Sequence, residues 1–450
     1  MKITSMDQAY SYLDDHISMD VFKRYDANKH LKTPLERFAY FLELLGNPQK
    51  KFKSIQVTGT SGKGSTAYYI SHLLTTAGYK TGFTLSPHLQ KIHERMQING
   101  KMPTNQEFIS VLNQLVPAIA KMANEPIGKP SYFEIVVAMA FMHFMNNKVD
   151  VAVVEVGLEG KFDATNILDP LAVILTNVSL DHTAILGETV EQIAKEVVYV
   201  IKKQDRNPIV IAGELQPTVF PIVEKKSRDV HARLFVYKKN FSAEIVKKSF
   251  NQTVFNFKND QNTIDGISLS LKGDYQVDNA ALAIEAIKHL SEFDISHDIM
   301  RHAFQTAFFP GRFEVFTYSG KVVVIDGAHN DAKMHAFLEA LEEYFPKEKK
   351  LFVVGFKKDK DIKTMITKVV DHADELVLTT FQKFTDQSKS CGLNPQEIVQ
   401  FLKKGAQYSI IDDSKSAFSY AISKAKNDEV IVITGSLYLI GEMRDYLTER

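Results

Sequence analysis

The sequence lacks a second cysteine and any long apolar run. Cys391 is the only cysteine among 450 residues, so no disulfide can form within the chain. No apolar run approaches the ~20 residues that a membrane-spanning helix needs. The start, MKITSMDQAY, lacks the basic and apolar regions of a signal peptide. We therefore expect a cytoplasmic protein with no membrane partner.

The chain also has no excess of charge of either sign. Lys plus Arg and Asp plus Glu number 54 each, which removes the general electrostatic argument for a nucleic-acid or anionic-membrane partner. Hydrophobic residues at 44% and charged residues at 24% are close to globular averages, and no stretch is low in complexity. Any anionic ligand must therefore be bound by a local site.

Short β-branched runs alternate with helical patterns over most of the chain, which predicts an α/β fold with parallel sheets covered by helices. At 450 residues the chain is too long for one ordinary core, so we expect two or three packed units. The strands predicted for a first, doubly wound unit are residues 54–58, 79–86, 149–157, 171–178 and 208–213.

The pattern changes between residues 232 and 274, where alternating strands with Asn and Gly turn signals predict an antiparallel insertion. The expected strands there are FVYKKN, TVFNFKN and GISLSLKGD. A Pro-Gly break in FFPGRFEVF then marks the main boundary, and the apolar runs beyond it predict a second, smaller α/β unit. We therefore expect domains over residues 1–308 and 309–450.

A glycine-rich segment follows the first strand and leads into a helix. In this context backbone N–H groups and a helix N-terminus can surround phosphate. Lys63 would offset phosphate charge, and Ser65 would reach a magnesium ion. The segment departs from GxxxxGK[ST], because only two residues separate its first two glycines and Gly64 follows Lys63. The alternative is a glycine-rich turn without a ligand, which would need neither the lysine nor so many glycines.

Polar residues follow three predicted strands at the end where open α/β sheets bind ligands. Glu155 ends the run VAVVE, and its carboxylate is suited to a magnesium site. His182 in the pair Asp181-His182 follows the next strand, and Ser86-Pro87-His88 closes another. The alternatives are a solvent-facing glutamate at position 155, a structural histidine at position 182 and an ordinary turn at position 86.

Three candidates lie near or beyond the Pro-Gly break. Arg312 sits at the boundary, where an arginine reaching ATP phosphates from another domain would stabilise transferring charge, and its alternative is an interdomain ion pair. Asp326 and His329 follow a strand in VIDGAHN, with a helix N-cap and simple packing as their alternatives. The mixed-charge run over residues 357–361 is interpreted as a solvated loop.

Motifs along nearly the whole chain resemble those of the folylpolyglutamate synthase family, which is grouped with the Mur ligases. They occur in the family's order and are TGTSGKGS, LSPHL followed by ERMQI, YFE, VAVVEVGLEGKFDATN, TNVSLDHTAILGETVEQIAKE, GDYQVDNAALAIEA, PGRFEVF, VIDGAHN, GFKKDKD and ITGSLYL. Several motifs in fixed order are more specific than any one of them. The resemblance implies an N-terminal P-loop ATPase-like domain with the antiparallel insertion, a C-terminal Rossmann-like α/β domain, and ATP bound between them.

The resemblance also implies roles for individual residues. The implied nucleotide contacts are Gly59, Thr60, Ser61, Gly62, Lys63, Gly64, Ser65, Asn279, Arg312 and Asp326. The implied magnesium ligands are Ser86, Glu155 and His182. Arg95 and His329 are implied in substrate binding. The expected catalytic residues are Lys63, His182, Arg312 and His329.

The activity implied by the resemblance is ATP-dependent addition of L-glutamate to the γ-carboxylate of a reduced folate, through an acyl phosphate. Dihydrofolate synthase activity is the related alternative, and a nucleotide-binding paralogue with weak or no ligase activity is a second. The expected cofactors are ATP and Mg²⁺, and the expected partners are small molecules, with no nucleic acid. We expect a monomer.

This chain departs from the family at two places. The family's lysine that becomes carbamylated, and helps to hold a second magnesium ion, falls on Val197, which can neither form a carbamate nor bind a metal. The second glycine of the family's GxGG is Glu159 here. We therefore expect a weakened second metal site and slow or altered ligation that does not depend on bicarbonate.

Overall fold

The computed structural model of the protein describes residues 2–17, 34–158, 160–205, 207–358, 360–381 and 392–448. Cys391 and Glu159 lie outside these ranges. The α-helices of the described ranges are α1 Met6–Asp14, α2 Pro34–Leu44, α3 Lys63–Thr76, α4 Asn105–Met122, α5 Tyr132–Asn146, α6 Thr183–Leu186, α7 Val190–Val197, α8 Phe220–Asp229, α9 Tyr275–Lys288, α10 His297–Gln305, α11 Asp331–Tyr344, α12 Ile362–His372, α13 Pro395–Val399, α14 Ser414–Lys424 and α15 Leu437–Thr448. No helix in the described ranges combines the length and apolar character needed to cross a bilayer.

The first sheet has seven strands in the order β3-β2-β4-β1-β5-β6-β7. All neighbours pair in parallel except β3, which is antiparallel to β2. The strands are β1 Lys53–Thr58, β2 Thr81–Thr84, β3 Gln97–Ile98, β4 Val151–Glu155, β5 Ala172–Leu175, β6 Ile209–Ala212 and β7 Arg233–Val236. The five strands predicted for this unit are all present; β1 begins one residue earlier than predicted, and the other four are shorter than predicted.

Helices cover both faces of this sheet, so its strands are apolar on both sides. Along β4, Val151 and Val153 pack on the face that holds α3, α9 and α10. Ala152 and Val154 pack on the opposite face against α1, α2, α4 and α5. This two-sided burial explains why β4 is a continuous apolar run rather than an alternating one.

The antiparallel insertion is confirmed, but its boundaries were wrong. The run FVYKKN, predicted as its first strand, instead contributes to β7, which pairs in parallel with β6 of the first sheet. The three strands of the insertion are β8 Phe241–Lys248, β9 Thr253–Asn259 and β10 Thr263–Leu269. The predicted strands do not include β8, whose hydrophobic signal is weak because its residues from Ser242 onward are exposed or partly exposed.

The second large sheet has six strands in the order β11-β12-β16-β13-β14-β15. Only β11 is antiparallel, to β12, and the remaining neighbours are parallel. The strands are β11 Glu314–Tyr318, β12 Lys321–Ile325, β13 Lys350–Val354, β14 Glu375–Leu378, β15 Tyr408–Ile410 and β16 Val430–Thr434. The predicted α/β class with two parallel sheets and a small antiparallel sheet is therefore confirmed. The expected boundary after residue 308 falls between α10 and β11.

Candidate active site

The predicted site residues of the first sheet follow four adjacent strands. In the order β2-β4-β1-β5, Ser86 follows β2, Glu155 ends β4, Gly59 follows β1 and Asp181 lies in the segment after β5. Parallel strands present their carboxyl ends at one edge of a sheet, so these residues share one edge. The backbone N–H of Ser86 donates to Glu155 Oε2 at 3.1 Å, which shows that two of the four strand ends meet directly.

The glycines of the phosphate loop, residues 59–65, are required by close packing. Gly59 has φ +117° and Gly62 has φ +82°, a region that other residues rarely adopt. A Cβ on Gly59 would lie 2.3 Å from Thr176 Oγ1, and one on Gly62 would lie 2.4 Å from Asn279 Oδ1. The loop is thus pressed between the segment after β5 and helix α9.

Hydrogen bonds to the segment after β5 hold the phosphate loop in place. The N–H of Thr60 donates to the Asn177 carbonyl at 3.0 Å. The N–H of Ser61 donates to Asn177 Oδ1 at 2.9 Å, and Thr176 Oγ1 donates to the Ser61 carbonyl at 2.6 Å. These bonds order the backbone before any ligand arrives, which lowers the conformational cost of binding an anion.

Asn279, implied as an adenine contact, lies against this loop. It is buried, its Oδ1 accepts from Thr66 Oγ1 at 3.3 Å, and its Nδ2 donates to Gln276 Oε1 at 3.3 Å. The structure therefore places Asn279 beside Gly62, and its contact with adenine stays a prediction.

Lys63 and Glu155, which follow and end the adjacent strands β1 and β4, interact electrostatically at this edge. The Lys63 ammonium donates to the Gly59 carbonyl at the other end of the loop. Glu155 is 9% exposed, so the solvent-facing alternative for it is wrong. Burial raises the pKa of Glu155, while the nearby charges of Lys63, Arg312 and Lys333 oppose that rise. A bound cation would relieve the cost of keeping this carboxylate ionised.

The residues present fit one magnesium ion held jointly with phosphate oxygens. Magnesium is commonly bound by one or two carboxylates together with substrate phosphates. Glu155 provides the carboxylate, and Ser86 is bonded to it through its backbone N–H. Burial, followed by the charges of Lys360, Lys63 and Lys333, lowers the pKa of His182 to about 4, so its imidazole is neutral and able to act as a ligand. In the described ranges, no group of three or more His, Cys, Asp or Glu side chains is arranged to hold a metal ion by itself. A magnesium ion here would therefore also need phosphate oxygens as ligands.

Val197 offers no ligand to this site. It is the last residue of α7 and is completely buried. It packs with Val156, Ile193 and Leu186 in the apolar cluster beneath β5 and β6. The position is part of a core and supplies no metal ligand, and the weakened second metal site stays a prediction.

Arg312 and Asp326 come from the start of the second sheet. The Arg312 guanidinium donates to the Gly311 carbonyl at 3.1 Å and lies 5.2 Å from the centre of the Phe309 ring. No carboxylate in the described ranges forms an ion pair with it, so the interdomain ion pair considered for Arg312 is not observed. Asp326 accepts from the N–H groups of Phe313 and Ala328 at 2.8 Å each. Burial raises its pKa to about 6, against the opposing charge of Arg312.

The helix N-cap predicted as the alternative role for Asp326 belongs to another residue. Asn330 precedes α11, and its Oδ1 accepts from the N–H of Lys333 at 2.9 Å. His329 lies between these two positions. Its Nδ1 contacts the Gly327 carbonyl at 2.7 Å, which makes Nδ1 the protonated nitrogen and leaves Nε2 as an acceptor.

Two lysines that the sequence analysis did not select complete the site. Lys360, interpreted as part of a solvated loop, has a side chain only 10% exposed and forms a 2.6 Å ion pair with Asp181. That interpretation was wrong for Lys360, while Asp359 lies outside the described residues. Lys333 Nζ lies 3.0 Å from His329 Nε2. The spacing of four residues between His329 and Lys333 at the start of a helix is a signal that could have identified Lys333.

Asp181 links the two large sheets at this site. Its carboxylate accepts from Lys360 Nζ at 2.6 Å and from Asn330 Nδ2 at 2.9 Å. Burial alone would raise the pKa of Asp181, but Lys360 and the neighbouring cations hold it well below its usual value. Asp181 is therefore ionised, and it joins the segment after β5 to the segments after β12 and β13.

Arg95, implied in substrate binding, lies in the loop between β2 and β3. It is buried and donates from Nε to His88 Nδ1 at 3.0 Å. With Ser86 and Glu155 it lines one small cavity. The same loop also contacts the second sheet and the helix α15. Leu89 packs in the apolar cluster around β12, β16 and α15, and Gln90 Nε2 donates to Asp445 Oδ1 on α15 at 2.5 Å.

Two known domain families match this chain, one in the part that forms the first sheet and one in the part that forms the second. Residues 57–287 match the Mur ligase middle domain, and residues 311–437 match the Mur ligase glutamate ligase domain. The chain belongs to the Mur ligase family. Within this family, it is 32% identical to the dihydrofolate synthase/folylpolyglutamate synthase of Bacillus subtilis (strain 168), over 93% of this chain and 95% of that protein.

Solved structures of Mur ligase relatives agree with the fold. This chain superposes on the folylpolyglutamate synthase of Thermotoga maritima with a TM-score of 0.81 and is 30% identical to it. The match covers 93% of this chain and 94% of that chain. This chain also superposes on the folylpolyglutamate synthase of Mycobacterium tuberculosis, complexed with ADP, with a TM-score of 0.88 and is 26% identical to it. The match covers 98% of each chain. The two-domain fold of these structures accommodates nearly the whole chain.

Lys63→Ala is expected to reduce ATP-dependent turnover roughly a hundredfold, because a phosphate-facing ammonium is lost from a loop that is ordered by other contacts. The melting temperature should change by only about 2 °C. Steady-state kinetics, nucleotide affinity and thermal unfolding are to be compared with those of Lys101→Ala, an exposed control. Equal loss of melting temperature and activity with intact ATP affinity would contradict the assignment.

Arg312→Ala is expected to slow turnover roughly a hundredfold or more at saturating ATP, while both sheets stay folded. The reason is that no carboxylate in the described ranges forms an ion pair with Arg312, while its charge acts on Glu155 and Asp326 at the site. Arg301→Ala, which removes a partly exposed arginine paired with Asp298, is the matched control. Unchanged turnover of Arg312→Ala at saturating ATP would remove Arg312 from the site.

Proposed function

We propose that this protein is an ATP- and Mg²⁺-dependent ligase that adds L-glutamate to the γ-carboxylate of a reduced folate. The names of the relatives support the substrate class, and the site supports the reaction type. The observation that carries the proposal is the convergence of the phosphate loop and Glu155 with Arg312 and His329. Both sheets therefore contribute polar side chains to one site, as a reaction that joins several substrates requires.

The proposed reaction has two displacements. An oxygen of the folate γ-carboxylate attacks the γ-phosphorus of ATP, the bond to the β,γ-bridging oxygen breaks, and ADP leaves. The amine of glutamate then attacks the acyl phosphate carbon, and inorganic phosphate leaves from the tetrahedral intermediate with loss of a proton from nitrogen. Such phosphoryl chemistry depends mostly on positioning and charge neutralisation.

The side chains present suit those requirements. Lys63 and the loop N–H groups bind phosphate, while Arg312 offsets charge on the group being transferred. Magnesium, when bound, supplies further neutralisation of phosphate charge, and Ser86, Glu155 and His182 would hold it. The Nε2 of His329 is the acceptor nitrogen, because Nδ1 donates to the Gly327 carbonyl. Lys333 Nζ lies 3.0 Å from this Nε2, so His329 would accept from the incoming amine only when Lys333 turns to the phosphates. No covalent enzyme intermediate is needed.

Arg95 is proposed as a folate-side residue because it borders the cavity that also reaches Ser86 and Glu155. We propose the contacts of Asn279 with adenine and of Asp326 with the ribose, phosphate or glutamate region on family grounds. The division at residues 308 and 309, the monomeric state and the cytoplasmic location also remain proposals.

Dihydrofolate synthase activity is the second candidate, because the Bacillus subtilis relative carries both names. In that reaction dihydropteroate supplies the carboxylate and the same phosphate loop acts. The preferred carboxylate substrate distinguishes the two activities.

The test is an ADP-release assay with purified protein, ATP and Mg²⁺. Release is expected to require both glutamate and tetrahydrofolate, and mass spectrometry should detect the glutamylated folate. Replacing tetrahydrofolate by dihydropteroate measures the second activity. Nucleotide binding without ADP release under either condition would contradict both assignments and favour a binding protein.

Turnover is expected to be the same in CO₂-depleted buffer and in buffer with added bicarbonate. The reason is that Val197 is buried in a core and has no amine to carbamylate. Magnesium titration should show one tight ion for each bound nucleotide and a weakened second one. A carbamate signal from a site lysine in ¹³C NMR with labelled bicarbonate would contradict this, as would two tightly held ions with turnover typical of the family.

A further inference from the structure

Four cationic side chains meet where the two large sheets adjoin. Lys63 and Arg312 were predicted from the sequence, whereas Lys333 and Lys360 come to the site through the fold. Three of them act electrostatically on the fourth, because Lys63, Lys360 and Arg312 all lower the pKa of Lys333. The carboxylates close to this group are Glu155, Asp181 and Asp326, and burial raises the pKa of both Glu155 and Asp326. The site therefore favours an added anion.

Lys333 differs from Lys360 in what it contacts. Lys360 pairs with Asp181 at 2.6 Å. Lys333 Nζ contacts His329 Nε2 at 3.0 Å, and no carboxylate in the described ranges lies within ion-pair distance of it. A neutral imidazole satisfies one of the three donors of an ammonium and supplies no countercharge. A partly buried ammonium in this position is costly unless an anion accompanies it.

The local electrostatics follow from these contacts. Burial, together with the neighbouring cations Lys63, Lys360 and Arg312, lowers the pKa of Lys333 to about 7, while Asp181 opposes that shift. The titratable and charged groups that interact with Lys333 are Lys63, Glu155, Asp181, His182, Arg312, Asp326, His329 and Lys360. An anion bound beside Lys333 would favour its protonated form, so binding should be accompanied by proton uptake.

We propose that Lys333 is a further phosphate-binding residue, which contacts the polyphosphate of the nucleotide from the second sheet's side of the site. The proposal rests on the proposed function for the identity of the anion. Lys333 lies on α11 directly after the loop that carries His329 and Asn330. It is therefore placed to face a nucleotide held by Lys63 on the first sheet.

The experiment measures binding of the non-hydrolysable analogue β,γ-methylene ATP with Mg²⁺ at pH 7.5 by titration calorimetry. Lys333→Met is expected to weaken binding at least tenfold, and Lys333→Arg should stay within threefold of the parent. Lys363→Met, which removes an exposed lysine three residues after Lys360, should bind as the parent does. Since burial penalises the Lys333 ammonium, Lys333→Met should melt no lower than the parent.

Repeating the titration in two buffers of different ionisation enthalpy measures proton uptake. The parent should take up more protons than Lys333→Arg, because the guanidinium is already charged. Unchanged affinity of Lys333→Met would overturn the proposal. Equal losses in Lys333→Met and Lys333→Arg would also overturn it, because packing rather than charge would then account for the effect.

Nucleotide binding and ligation are read separately in these experiments. If the parent binds the analogue but forms no glutamylated folate, the proposed function fails and the assignment of Lys333 still stands. If the parent ligates normally and Lys333→Met binds and ligates equally well, the assignment fails alone.

Discussion

The close approach of the phosphate loop to its neighbours is the constraint on which the rest of the site depends. Gly59 and Gly62 touch Thr176 and Asn279 at distances that no Cβ could share. The loop therefore lies flat against the segment after β5, and its carbonyl and N–H groups are tied to Thr176 and Asn177. Lys63 is positioned by this loop, and it in turn influences the ionisation of Glu155 and His182.

Charge is concentrated at the site because two parallel sheets present their carboxyl edges to each other. The strands are buried on both faces and therefore carry apolar side chains, so the charged side chains lie in the loops at these edges. There they are largely shielded from water. Asp181 offsets some of the positive charge through Lys360. The charges of Lys63, Arg312 and Lys333 would be neutralised by a ligand that carries several negative charges. A chain with no net charge can bind a polyanion in this way, because its positive charge is concentrated locally.

The fold and the first-sheet half of the site were predictable, because both depend on local signals. Each strand of the first parallel unit is an apolar run, and Glu155 or Gly59 comes directly after one. On the second sheet's side Arg312, Asp326 and His329 were predicted, but Lys333 and Lys360 were not. Lys360 pairs with Asp181 from 179 residues away, and the sequence of a mixed-charge loop does not show which of its lysines is buried. The boundaries of the insertion were wrong for a related reason, since β7 joins the first sheet through pairing with β6 rather than through any feature of its own residues.

The loop between β2 and β3 belongs to the first sheet by sequence and to the second by packing. Leu89 is buried among apolar side chains around β12, β16 and α15, and Gln90 is hydrogen-bonded to Asp445. Arg444 bonds Gln90 on one side and Glu314 on the other, and Glu314 Oε2 accepts from the N–H of Gly311. A relative rotation of the two sheets would therefore pull on the residues before Arg312 and on those beside Arg95 together, so that these two segments would be displaced in concert rather than independently.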